Sequence, residues 1–133
     1  MSDETRILAG ILLLSLVTVE TGGLYLLKLW RSSEGVTEFQ IGFARAGHAH
    51  AGVLLVLSLT ALLYADTAGL TGGWNWLART GVPIAAILMP AGFFFSSMGR
   101  GRTKPNGLIA LVFAGATMLA LGLASLGVGL LTA

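Results

Sequence analysis

Apolar residues in this chain fall into four long runs separated by three short polar stretches. The runs cover about residues 7–30, 43–64, 74–98 and 107–131. Each is long enough to cross a bilayer as an α-helix, which takes roughly 20 predominantly apolar residues. Trp30, Tyr64, Trp74 and Trp76 stand at the ends of these runs, where amphipathic aromatic rings favour the headgroup boundary. The connections are a polar loop over 31–40 carrying Glu34 and Glu38, a Gly/Thr-rich turn over 66–73, and a basic turn over 99–106 with Pro105. The pattern predicts an all-α, integral membrane four-helix bundle, with residues 1–133 forming one domain.

Composition agrees with that class. Hydrophobic residues are 55% of the chain and charged residues 11%, whereas soluble domains carry about 25% charged residues. Mean hydropathy is +0.84. There is no cysteine, which removes disulfide, thiolate–metal and thiol chemistry. A net charge of +2, spread along the chain, does not make a nucleic-acid surface. Met1 to Arg6 is polar and mostly acidic, and the run behind it is longer than a leader's apolar region, so it reads as a first span.

Four spans place both chain ends on one side. Lys28, Arg31, Arg45, Arg100, Arg102 and Lys104 gather on the opposite side, leaving Arg6 and Arg79 with the ends. Counted by the positive-inside rule, the six lie inside and the ends outside. In the fourth run Gly115, Gly122 and Gly129 recur every seven residues, and Ala116, Ala120 and Ala124 every four. Small residues at these spacings let helix backbones approach closely in lipid, either within one bundle or between two copies. Pro83 and Pro90 are tolerated as kinks in a membrane helix.

Two features are expensive in a bilayer. Glu20 sits within the first run, so it is expected to face the protein interior, be protonated or have a partner. It is a candidate proton relay or metal ligand; equally, it fits a carboxyl hydrogen-bonded to a neighbouring helix. The second feature is the pair His48 and His50, the only histidines, with Arg45 one turn earlier. At ~100° per residue, positions i and i+2 lie about 200° apart on a helix, so the two imidazoles face different neighbours. A zinc site prefers three or four converging ligands, and only Glu20 is available to join them. Haem iron needs one imidazole on each face, which opposed histidines on packed helices can provide. No Walker or Rossmann glycine spacing occurs, and with Asp66 at the far end of the second run from the histidines no Ser–His–Asp arrangement can be argued.

The segment His48-Ala49-His50-Ala51-Gly52-Val53-Leu54, with Trp76-Leu77 and Gly81-Val82-Pro83 further on, resembles small four-helix bacterial membrane proteins. Those are similar to a fragment of haem–copper oxidase subunit I and carry a His-x-His at the start of the second helix. The resemblance covers roughly the second and third runs. That subunit arranges twelve helices as three four-helix arcs, and one His-x-His serves two haems on opposite sides. The resemblance therefore implies a homotrimeric twelve-helix ring. In it, b-type haem is ligated by His48 of one protomer and His50 of the next, with Arg100, Arg102 and Arg45 near the propionates. It also implies an N-terminus inside the cell, opposite to the charge count. With no third histidine and no cross-linked His–Tyr pair, oxygen reduction is not expected, and a six-coordinate haem transfers electrons or is structural.

Three functions follow. The first is a haem-binding redox protein of the cell (inner or plasma) membrane. The second is a small proton- or metal-coupled transporter using Glu20 and the His pair. The third is a non-catalytic accessory subunit of a respiratory complex. Expected partners are the lipid bilayer, further copies of the chain and a respiratory-chain protein, with no nucleic acid. The residues assign no enzymatic reaction.

Overall fold

The computed structural model describes residues 1–133 and contains four α-helices and no strand. They are α1 (Asp3–Arg31), α2 (Glu38–Ala65), α3 (Gly72–Ser96) and α4 (Ala110–Thr132), the last entered through a 3-10 turn over Gly107–Ile109. All four are long and apolar enough to cross a membrane. The helices outrun the apolar runs where a local signal extends them. α2 starts at Glu38 because Thr37 and Gln40 form a reciprocal capping box, satisfying two N-terminal amides that would otherwise lack partners. α1 starts behind Ser2, whose hydroxyl accepts from Thr5 N–H at 3.2 Å, with Asp3 and Glu4 in the favourable first turn.

The helices form an arc rather than a closed bundle. α1 packs on α2, α2 on α3 and α3 on α4, and α2 touches α4 only slightly. Burial follows: half of the most apolar stretch of α3 is buried, against 6% for α1 and 11% for α4. α3 is therefore the inner helix, and α1 and α4 are the exposed ends. Leu12, Leu54, Leu55, Leu62, Ala85 and Met89 form one core patch, and Ala61, Ala65, Ala78, Val82 and Leu126 a second.

Glycine sets how close α3 and α4 come. A Cβ on Gly81 would lie 2.6 Å from Gly122 Cα, and one on Gly122 would lie 2.9 Å from Gly81 Cα. Gly115 lies against Met89 and Gly129 against Leu70. The seven-residue glycine repeat thus serves contact within the chain, while Ala116, Ala120 and Ala124 are exposed.

At the end remote from the basic turn, Asp66 gathers three helices. It caps the C-terminus of α2 and accepts from Ser2 N–H at 2.8 Å, Ser2 Oγ at 2.9 Å, Thr5 Oγ1 at 2.9 Å and Arg79 Nη2 at 2.8 Å. Arg79 also donates to Asn75 Oδ1 at 2.9 Å and to Thr5 Oγ1. Hydrogen bonding to the charged form, from the Ser2 amide first and Arg79 next, holds the Asp66 carboxyl well below the usual carboxylate range. At the basic end Gln40 makes a similar tie, donating to Ser97 O at 2.9 Å and Gly99 O at 2.7 Å.

Three variants test these contacts by unfolding in detergent. Gly81→Ala forces backbones apart and lowers stability by about 1–3 kcal/mol, the usual scale of overpacking. Gly10→Ala, where an added Cβ meets nothing within 4 Å, does not lower the midpoint and raises it slightly, because alanine favours the helix over glycine. Asp66→Asn destabilises the protein at pH 7. Because folding depresses this pKa, the charged form contributes above the unfolded value of ~3.9 and its contribution is lost as pH falls further. The gap between wild type and variant is therefore constant above pH ~5 and narrows steadily below ~4.

Candidate functional site

His48 and His50 do not stand at the helix mouth, because the capping box places the start of α2 at Glu38. At ~1.5 Å per residue, His48 lies about 15 Å along the helix. It is level with Gly22 and Gly23 of α1, since Cβ atoms there would stand 3.0 Å from His48 Nδ1 and 3.6 Å from its Nε2. The Gly22–Gly23 pair is thus the notch that lets an imidazole sit between two packed helices. His48 is half-buried and makes no side-chain hydrogen bond within the chain, and no side-chain nitrogen is sealed away without a partner.

His50 leaves a different side of α2. Its ring centroid is 4.8 Å from that of Phe93 on α3, and Phe43 reaches Phe93 at 5.5 Å and Phe39 at 4.2 Å. Its Nδ1 lies 2.7 Å from Ala46 O. A carbonyl only accepts, so Nδ1 carries the proton and donates, leaving the lone pair of the neutral ring on Nε2. A main-chain carbonyl fixes metal-ligating histidines in the same way.

Above His48, towards the basic turn, lies a cavity of about 580 Å³, within the ~300–1,000 Å³ of small-molecule sites. α1 supplies Thr21, Gly22 and Tyr25, α2 supplies Gln40 and Ala44, and α3 with its following turn supplies Phe94, Met98 and Arg100. Ala44 is one helical turn from His48 and on the same face, so the imidazole lies beyond the inner end of this cavity. Arg100, exposed and without an ion-pair partner, stands among the lining residues.

The other candidates are dispersed. Arg45 lines a separate groove with Trp30, Ser33 and Ile41. Arg102 lies in the basic turn, its main-chain oxygen accepting from Thr37 Oγ1 and its side chain folded over Gly99. Glu20 is exposed on α1. It makes no hydrogen bond or ion pair within the chain, and no cluster of acidic and imidazole side chains gathers it with the histidines. No three His, Asp or Glu side chains converge as a metal-ion site. Sequence reasoning missed the Gly22–Gly23 notch, Tyr25 and the Phe39–Phe43–Phe93 wall. The four-residue step from Phe39 to Phe43, then seven to His50, was the available signal for the wall.

Comparison with protein-family models, with curated proteins and with solved structures finds no match.

Gly22→Ala pushes on His48 without reaching His50. It is expected to change the carbethoxylation rate of His48, read by mass spectrometry of the labelled peptide, and to leave that of His50 unaltered.

Proposed function

We propose that this chain is a membrane haem protein, in which His48 of one protomer and His50 of a neighbour would hold a b-type haem. The observation that carries the reading is the donor set. Two imidazoles leave separate sides of one helix, and no third ligand is present for a bare metal ion. Such a set suits an iron that brings its own equatorial nitrogens. His50 fits the axial role, because its Nδ1–H is held by Ala46 O and its Nε2 is free to bind. His48 fits through ring nitrogens with no competing partner in the chain.

Around these ligands the residues have defined tasks. The Phe93 and Phe43 rings cover one side of the site and keep it apolar. The glycine notch holds the His48 ring in the α1–α2 contact. Arg100, with Arg102 and Arg45 on the same membrane face, is suited to charge-assisted contacts with propionate carboxylates. When bound, a bis-histidine haem supplies a one-electron carrier with no open coordination position. The reading is accordingly electron transfer in the cell membrane, by a homotrimeric ring of twelve helices that exchanges electrons with a respiratory-chain partner.

Purified from haem-supplemented cells, the protein is expected to show a Soret band and sharp reduced bands at about one haem per chain. Substituting His48 and His50 together by alanine abolishes them, while His50→Ala alone turns the low-spin spectrum high-spin. Full haem retention by the double variant, or a wild-type protein that takes up no haem, overturns the reading.

A further inference from the structure

We propose that the outer face of α1 around Glu20 docks against the outer face of α4 around Thr117 of a second copy of this chain. Glu20 is the starting point. It is exposed, it makes no hydrogen bond or ion pair within the chain, and it lies inside a membrane-spanning helix. A carboxyl facing hydrocarbon is unfavourable enough that such groups face protein or water. The fold turns this one away from its own interior, so the protein it faces is another molecule.

Depth selects the partner surface. α1 ends and α4 begins on the same membrane face, that of the basic turn. Glu20 lies about 16 Å along α1 from Arg31, and Thr117 about 15 Å from Gly107, at ~1.5 Å per residue. Between Ala110 and Leu131 only Thr117 and Ser125 are polar. Ser125 is buried and donates to Trp74 O at 2.8 Å, whereas Thr117 is exposed. The Thr117 hydroxyl gives its proton to Phe113 O at 3.0 Å, so its oxygen has lone pairs free to accept from a carboxyl O–H. α4 therefore offers one hydrogen-bonding side chain to an outside partner in its middle, and it is at the level of Glu20.

Shape and topology agree. Leu13, Val17 and Leu24 project beside Glu20, while Phe113 and Leu121 stand exposed one turn to either side of Thr117 with Ala120 and Ala124 alongside. Each face is thus apolar around one central polar side chain, which suits a helix–helix contact in lipid. α1 and α4 are the two ends of the arc and run in opposite directions. Placing α1 of the next copy beside α4 continues the up-and-down order of the four helices. Each copy uses a different face on each side, a head-to-tail joint that closes into a ring when the rotation permits. The inference specifies the seam of the ring that the haem reading invokes, and rests on that reading only for the assembly being a ring of identical copies.

The absence of cysteine makes the test direct. Glu20→Cys and Thr117→Cys are introduced singly and together, and membranes are oxidised with copper-phenanthroline. The doubly substituted chain is expected to form a ladder of disulfide-linked species ending at the ring size. Each single variant remains monomeric, and co-expressing the two singles gives dimers only. Dimers from Glu20→Cys alone would show α1 facing itself and overturn the proposal. So would a doubly substituted chain that stays monomeric although both thiols react with a membrane-permeant maleimide. As a second measurement, Glu20→Gln keeps the wild-type mass in mild detergent and Glu20→Leu lowers it; a wild-type mass for Glu20→Leu also overturns the seam. Cross-linking needs no haem. A ladder without a Soret band sinks the haem reading alone, and a Soret band without a ladder sinks the seam alone.

Discussion

The Gly81–Gly122 contact is the constraint on which the arc depends. In lipid there is no hydrophobic force to press helices together, because the surroundings are as apolar as the side chains. Cohesion comes from dispersion between closely approached backbones and from polar groups with no alternative partner. Where a Cβ would stand 2.6 Å from the opposing Cα, only glycine allows that approach. α3 becomes the inner helix because it offers glycine or alanine towards α4 and alanine towards α2. α1 has no such seam and is the least buried helix.

What α1 lacks in packing is offset by polar ties at its N-terminus and by two contacts with α2, at Leu12 and at the Gly22–Gly23 notch. Asp66 binds the start of α1 to the end of α2 and, through Arg79, to α3. At the other end the Gly22–Gly23 notch admits the His48 ring. The same imidazole that fills this contact is a candidate ligand, so the α1–α2 packing and the chemistry of the site are mechanically joined. His50, on the aromatic side of α2, is held separately by Ala46 O and Phe93.

The two membrane faces of the protein differ in character. One is a neutralised clamp in which Arg79 is matched by Asp66 and Arg6 by Asp3. The other presents Arg45, Arg100, Arg102 and Lys104, none of them in an ion pair within the chain. Anionic ligand groups are therefore favoured at the end nearer the histidines, where the larger cavity opens.

The sequence by itself determined the four membrane helices, since twenty-residue apolar runs have few other stable forms in water or lipid. It also determined that His48 and His50 diverge, because helical rotation per residue is a local property. Reading 31–40 as a polar loop passes over the Thr37–Gln40 capping box, which moves the start of α2 to Glu38 and the histidines well into the helix. Tertiary structure decided the rest. Which glycines meet backbone and which alanines stay exposed depends on how α4 is rotated against α3, and a near-uniformly apolar helix carries almost no amphipathic signal to set that rotation. The outward placement of Glu20 and the pairing of Asp66 with Arg79 likewise join residues distant in the chain. Their partners are chosen by the order of helices in the arc, which no local pattern encodes.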